Sequence, residues 1–440
     1  MLDAILDWAD EEDWETLQAC TLVCHAWLFP SRRLLFRHVR VTGHYDSFFP
    51  RDCPIEEHPP TKRILAFLAF IRRPDSLAVR SCIRQLVLCG EPYNLSDADR
   101  KFPRVMPSML VDLLSYLPSL ENLELVRLYL GEHTAKQPFP TPIALGSPGY
   151  NMLNLSSLGL RSFTLQNGDI QNLVNLLAIF PSINSVFLDY SGIGSREVEN
   201  EIVARLSVPP HIQIRDLTLV MVDNALLVRI VQDSVTSGTL ESLTIVGCNL
   251  GEQIHVGALL GACGSNIRNL LLGIELGVFQ SHPADPFVNL SAFCSSLALS
   301  KCTALESFII RSKLRLRGNR EFGIHILHAF ILPQLPLTLR RLTIEIDLTV
   351  LHPHYLAQLD WHLVQTALKR FPDLEKVEFI VTNVDVNGKL LYEHKRAVKE
   401  GLNWLDERGI LGLRDSSPPR ITRGLQADDS SWFYLPANRL

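Results

Sequence analysis

The feature that most restricts what this chain can fold into is a six-residue pattern, apolar-x-x-apolar-x-apolar, that returns from Ile83 to Phe379. Its first copies are Ile83-Arg-Gln-Leu86-Val-Leu88, Leu120-Glu-Asn-Leu123-Glu-Leu125, Leu160-Arg-Ser-Phe163-Thr-Leu165, Ile183-Asn-Ser-Val186-Phe-Leu188 and Ile214-Arg-Asp-Leu217-Thr-Leu219. It continues as Leu240-Glu-Ser-Leu243-Thr-Ile245, Ile267-Arg-Asn-Leu270-Leu-Leu272, Leu305-Glu-Ser-Phe308-Ile-Ile310, Leu339-Arg-Arg-Leu342-Thr-Ile344 and Leu374-Glu-Lys-Val377-Glu-Phe379. The alternation that ends each copy is the period of a strand with one face against a core. Between copies lie stripes at helical spacing, such as Met109, Leu110, Leu113, Leu114 and Leu117, or Leu173, Val174, Leu177 and Phe180. Proline follows three such helices, in Leu117-Pro118-Ser-Leu120, Phe180-Pro181-Ser-Ile183 and Phe371-Pro372-Asp-Leu374. There it ends the helix and extends the chain into the next strand.

One strand–helix unit cannot bury its own apolar face, so such repeats stack. The expected fold class is an α/β solenoid: an irregular leucine-rich-repeat arc, parallel strands inside and helices outside. The spacing of roughly 23 to 40 residues exceeds the about 20 to 29 of regular repeats of that kind. A doubly wound sheet uses the same alternation, but it calls for a glycine-rich turn after an early strand, and none stands there. Regular repeats place Asn or Cys three residues after the last strand leucine; Cys248 fits, Ser191 and Gly168 hold equivalent slots, and Leu128 and Val222 do not. Uneven curvature is the expectation. Residues between the apolar ones then face the inner side of the arc. The candidate partner-binding face is Asn122, Glu124, Gln166, Phe187, Asp189, Asp216, Thr218, Arg311, Glu345 and Glu378. In the third copy the same rule selects Ser162 and Thr164 beside Gln166. The bland reading of these positions is a solvated sheet face.

The first forty residues have a different texture. Leu2, Ile5, Leu6 and Ala9 fall on one helical face, Asp10-Glu11-Glu12-Asp13 interrupts, and a second stripe runs through Leu17, Cys20, Cys24 and Trp27, widened by Leu22 and Val23. Pro30 stops that helix, and the basic segment from Arg32 to Val41 ends with the alternation of a short strand. Two short helices bury little surface alone, so the stripe either packs inward on the repeats or docks on another protein. The run Leu17-x-x-Cys20-x-Leu22-Val23-Cys24-x-x-Trp27, followed by Ser31-Arg-Arg-Leu-Leu-Phe-Arg-x-Val-Arg-Val, resembles the second half of an F-box of the fungal type. That resemblance implies binding to the Skp adaptor of a Skp–cullin–F-box ubiquitin ligase. It implies that Leu2, Ile5, Leu6, Leu17, Leu22, Val23, Cys24 and Trp27 form the adaptor interface or the motif's own core. The family's motif opens with Leu-Pro ahead of its first helix, whereas here Met1 stands almost where that helix begins. Either the start lies further upstream or adaptor binding is weak or missing.

The expected organisation is an F-box-like helical module at 1–41, a linker and first packing helix at 42–82, and the repeats at 83–388. A capping helix at 389–411 and a flexible tail at 412–440 complete it. The net charge of −5 argues against a nucleic-acid partner, and no apolar run approaches the roughly 18 to 20 residues that span a bilayer. The nine cysteines are odd in number and lack Cys-x-x-Cys spacing, which points to reduced thiols in a cytoplasmic or nuclear protein. Arg311, Lys313, Arg315 and Arg317 give one strand a basic face, suited to an acidic or phosphorylated segment or simply to a solvated edge. His325, His328, His352, His354 and His362 lack the companions of a metal site. Gly257-Ala-Leu-Leu-Gly-Ala-Cys-Gly264 reads as the end of a helix, not a phosphate loop. Without a nucleophile elbow, phosphate loop or metalloprotease motif, no catalytic residue, metal or cofactor is expected. The chain reads as a protein-interaction receptor, the substrate-recognition subunit of such a ligase, with an unknown protein as substrate. The alternative is a leucine-rich-repeat scaffold with no ligase role.

Overall fold

The computed structural model describes residues 31–44, 62–91, 104–131, 154–165, 171–180, 182–190, 212–220, 238–248, 253–275, 294–313, 331–347, 361–382 and 389–415. The chain divides into two compact units, Met1–Ile214 and Arg215–Leu440. Each is an α/β unit whose main strands run parallel.

Unit 1 contains β1 (His38–His44), α1 (Lys62–Arg72), α2 (Leu77–Arg80), β2 (Gln85–Glu91), β3 (Arg104–Val105) and α3 (Pro107–Ser115). It continues with β4 (Asn122–Val126), β5 (Tyr129–Leu130), β6 (Leu155–Leu165), α4 (Gln171–Leu177) and β7 (Ser182–Tyr190). The strand order is β1-β2-β4-β6-β7, every pair parallel, with β5 bridging β3 and the far end of β6. Unit 2 takes most of β8 (Gln213–Val220), then β9 (Ser242–Cys248), α5 (Gln253–Cys263), β10 (Asn269–Glu275), β11 (Ser307–Lys313) and β12 (Arg341–Asp347). It ends with α6 (Trp361–Leu368), β13 (Lys376–Thr382), α7 (Lys389–Gly401), α8 (Asn403–Glu407) and β14 (Leu411–Asp415). Its strands pair in chain order from β8 to β14, again all parallel.

Strand neighbours in chain order follow from the hexads. Their fourth and sixth residues meet across each pair and form continuous apolar columns. In unit 1 one column is Val39, Leu86, Leu123, Leu158 and Val186; the other is Val41, Leu88, Leu125, Leu160 and Leu188. In unit 2 they are Leu217, Leu243, Leu270, Phe308, Leu342, Val377, Leu411 and Leu219, Ile245, Leu272, Ile310, Ile344, Phe379, Leu413. Column residues of β2 to β13 are buried, and those of the edge strands β1 and β14 half-buried. Each interior leucine removed from water is worth about 1.5–3 kcal/mol. Helix residues such as Leu110, Leu113 and Leu117, or Val256, Leu259 and Leu260, are buried from the other direction.

Strands β4, β10, β11 and β13 are entered through a tight turn. The first hexad residue donates its N–H three residues back, from Leu120 to Leu117 O (3.2 Å), Ile267 to Gly264 O (3.2 Å), Leu305 to Cys302 O (3.1 Å) and Leu374 to Phe371 O (3.4 Å). Proline in Leu117-Pro118 and Phe371-Pro372 therefore sits inside a hydrogen-bonded turn, where its fixed φ is an asset.

The third hexad is displaced. The residues that meet Leu123 and Leu125 are Leu158 and Leu160, so the strand copy is Leu155-x-x-Leu158-x-Leu160, five residues earlier than Leu160-x-x-Phe163-x-Leu165. Apolar residues at 155, 158, 160, 163 and 165 fit the pattern in two overlapping frames. Backbone settles the choice: Ser162 has φ +47° and the register with β7 shifts between Arg161 and Phe163, ending the first frame there. Intervals of 40 and 23 residues on either side become 35 and 28. Two further differences concern the ends. Helical residues 31–35, with Ser31 and Leu35 buried, lead directly into β1 of the unit 1 sheet. After α7 and α8, where a tail was expected, β14 adds one more parallel strand to β13.

Candidate functional site

In each strand the third and fifth hexad residues point away from the apolar columns, because successive side chains alternate across a sheet. Parallel register lines them up in rows. In unit 1 the first row is His38, Gln85, Asn122, Ser157 and Ser185; the second is Arg40, Val87, Glu124, Gly159 and Phe187; the third is Thr42, Cys89, Val126, Arg161 and Asp189. Side chains bond along and between rows. His38 Nδ1 and Gln85 Oε1 lie 2.7 Å apart, and Ser157 Oγ donates to Asn122 Oδ1 at 2.9 Å. Arg161 pairs with Glu124 and lays its guanidinium over the Phe187 ring, 4.5 Å from its centroid. Glycine at 159 belongs to this arrangement: a Cβ there would come within 3.2 Å of Glu124 Cγ. Beside them Ser162 Oγ lies 3.4 Å from an Asp189 carboxylate oxygen. Burial pushes the Asp189 pKa above its ordinary 3.8; the Ser162 hydrogen bonds and the Arg161 charge oppose that rise.

In unit 2 the face opposite the apolar columns, called the inner face in both units for that position alone, is divided. Ser242, Thr244 and Leu271, at 6%, 7% and 2% exposure, make β9 and β10 buried on both sides. Gly247, at φ +83°, permits the irregularity that pairs Ile274 with Cys248. From β11 onward the face carries charge. Arg311 and Glu345 are register partners and form an ion pair at 19% and 17% side-chain exposure. Arg311 Nη1 is buried with no hydrogen-bond partner among the described residues. Glu378 is buried between Lys376 Nζ, 3.5 Å away, and Arg414 Nε, 2.5 Å away, the latter supplied by β14. Ile309 and Thr343 lie half-buried in the row that also holds Glu378, while Arg341 is exposed.

The structure thus places Asn122, Glu124, Phe187 and Asp189 on the inner face of unit 1, where Glu124 and Phe187 meet through Arg161. Asp216, Thr218, Arg311, Glu345 and Glu378 lie on the inner face of unit 2. Asp216 is half-buried, and desolvation raises its pKa from 3.8, assisted by Glu241 and opposed by Arg215. Gln166 lies outside the described residues; in the corrected frame the inner-face residues of its strand are Ser157, Gly159 and Arg161, not Ser162, Thr164 and Gln166. Leu2, Ile5, Leu6, Leu17, Leu22, Val23, Cys24 and Trp27 also lie outside the described residues, as do Arg315, Arg317, His325, His328, His352 and His354.

The described residues contain no group of His, Cys, Asp or Glu suited to a metal ion, and no helix long and apolar enough to cross a membrane. Cys82, Cys89, Cys263, Cys294 and Cys302 are unpaired and buried. Burial pushes the Cys294 and Cys302 thiols up to about 12, far from a nucleophile's range.

A further pattern stands at the second hexad position, where each strand begins. In unit 2 it reads Arg215, Glu241, Arg268, Glu306, Arg340, Glu375, opposite charges in strict alternation. Neighbours pair: Arg215–Glu241 at 3.1 Å, Arg268–Glu306 at 3.6 Å and Arg340–Glu375 at 3.6 Å. In unit 1 the same position reads Arg37, Arg84, Glu121, Ser156, Asn184, with one ion pair, Arg84–Glu121 at 2.9 Å. The apolar pattern draws the eye away from this signal, although it is plainly written. Neither a protein-family model nor a curated protein matches the sequence.

Proposed function

We propose that this chain is a protein-interaction receptor, built as an irregular leucine-rich-repeat solenoid, that serves as the substrate-recognition subunit of a Skp–cullin–F-box ubiquitin ligase. The observation that carries the receptor reading is the in-register parallel pairing of hexad strands in each unit. It supports a face that offers many side chains in fixed rows, as repeat proteins do when they hold a protein partner. The mixture on that face suits such a partner: an aromatic ring and arginine in unit 1, and in unit 2 a half-buried arginine whose Nη1 has an unmade hydrogen bond. Aromatic residues and arginine dominate the energetics of protein interfaces. The ligase role rests on the F-box-like run from Leu17 to Val41. In this reading the chain does no covalent chemistry; it holds a target while the ligase acts, within the cytoplasm or nucleus.

The test is co-precipitation of the full chain with a purified Skp adaptor. Association that disappears in the Leu22→Ala, Trp27→Ala double variant is the expected result; an intact chain that ignores the adaptor overturns the ligase role. One observation favours the second reading, a repeat scaffold whose first helices act as an amino-terminal cap. Residues 31–44 join the unit 1 sheet through buried Leu35 and the β1–β2 pairing, so part of the F-box-like run already serves the repeats. A scaffold keeps its inner-face partner while never binding the adaptor.

A further inference from the structure

We propose that the alternating charge row of unit 2 is a register code, which sets each strand from β8 to β13 against pairing with the repeat one beyond its true neighbour. The core alone cannot make that choice. Leucine stands at the first column position of β8, β9, β10 and β12, and leucine or isoleucine at the second position from β8 to β12. The backbone is equally repetitive. The carbonyl of each entry residue accepts N–H groups from the next strand: Arg215 O from Glu241 (2.9 Å), Glu241 O from Arg268 (2.8 Å), Arg268 O from Glu306 (2.9 Å), Glu306 O from Arg340 (2.9 Å) and Arg340 O from Glu375 (2.8 Å). A strand that skipped one neighbour would bury comparable apolar surface and make the same main-chain bonds.

Charge distinguishes the two outcomes. Every true neighbour sets a base beside an acid, whereas every skip of one repeat sets like beside like. Arg215 would meet Arg268, Glu241 would meet Glu306, Arg268 would meet Arg340, and Glu306 would meet Glu375. The hydrogen-bonded entry residues hold these side chains next to each other, so the repulsion could not be escaped by backbone movement alone. Side-chain exposure of 39% to 63% across the three close pairs makes each attraction small in the finished fold. Selection against a wrong arrangement asks less than stabilisation of the right one, since several like-charge contacts would arise together. It acts when parallel strands with long connections find their partners, the slow and error-prone step for such topologies. Unit 1, with Ser156 and Asn184 in its row, has no comparable sequence of charges.

Two full-length variants with unchanged net charge test the proposal. The first reverses all six entry charges (Arg215→Glu, Glu241→Arg, Arg268→Glu, Glu306→Arg, Arg340→Glu and Glu375→Arg) and preserves alternation. The second, Glu241→Arg with Arg268→Glu, sets two bases together at one boundary and two acids at another. Both are diluted from urea at low salt, and the yield of monomer with wild-type hydrogen-exchange protection across β9 to β12 is measured. The six-fold reversal is expected to match the wild type, while the double swap falls about fivefold and recovers in high salt, which screens exposed charges. Equal yields for the double swap and the wild type overturn the proposal. So does a six-fold reversal as poor as the double swap, a deficit that salt leaves unchanged, or a double swap that refolds fully and merely melts at lower temperature.

Discussion

The two units use one strand pattern and spend their irregularities differently. Unit 2 keeps register along its whole run of strands apart from the Gly247 irregularity, alternates charge at the entries from β8 to β13, and buries Ser242, Thr244 and Leu271 on the inner side of β9 and β10. Unit 1 breaks register at Ser162, carries a second left-handed residue at Arg127, and lets β5 bond to the end of β6. At that break it gathers Glu124, Arg161, Phe187 and Asp189 on one face. In unit 1 the register holds through Arg161 and Asp189 and shifts immediately beyond them, so the polar and aromatic cluster borders the break.

The largest expected effect tests whether the units are distinct. Leu272→Ala in unit 2 and Leu160→Ala in unit 1 each remove a buried column residue, at about 2–5 kcal/mol. Hydrogen exchange should lose protection mainly in the unit that carries the substitution; equal loss in both would break the comparison. Within α5, Gly257→Ala drives a Cβ to 1.7 Å from the Ser296 carbonyl oxygen, while Gly261→Ala meets nothing within 4 Å. Urea unfolding should show about 1–3 kcal/mol lost in the first and roughly 1 kcal/mol gained in the second from helix propensity. Arg161→Ala, which loses both the Phe187 stack and the Glu124 pair, should cost about 1 kcal/mol. Arg215→Ala at an exposed entry pair should stay within roughly 0.5 kcal/mol, and reversal of that order would remove the contrast between cluster and row.

The smallest effect is one of pH. Asp189 has a folded pKa above its ordinary 3.8 because burial disfavours its charge. Stability contributed by the neutral form is full below 3.8 and is lost as the pH rises through the folded value. Asp189→Asn should therefore be more stable than wild type at pH 7, with the advantage shrinking toward acid. An advantage that persists below pH 3.8 would place its origin elsewhere.

Much of this was legible in the residues. The hexads give the strands and their neighbours because an apolar triplet with spacing three and two fits only one face of a strand entered through a turn. The frame of β6 was not legible, since two overlapping triplets share Leu160 and backbone geometry at Ser162 decides between them. Arg161 was hidden for the same reason: it becomes an inner-face residue only in the earlier frame. β14 was hidden because Leu411-Gly-Leu413 is too short to display a period, and pairing with β13 supplies its bonds. The inner-face burial of Ser242, Thr244 and Leu271 depends on what lies over them in space, which alternation along one strand does not encode.

The claim that the inner face holds a protein is tested most directly by site-specific photo-crosslinking in the full chain. A photoreactive residue replaces Phe187 or Ile309 on the inner face, or Ala258 or Leu363 on the exposed sides of α5 and α6. One protein target is expected to crosslink from Phe187 or Ile309 and to be lost on adding Arg161→Ala or Arg311→Ala, respectively, with none from the helix positions. A target captured equally from α5 and α6, or only from them, would contradict it.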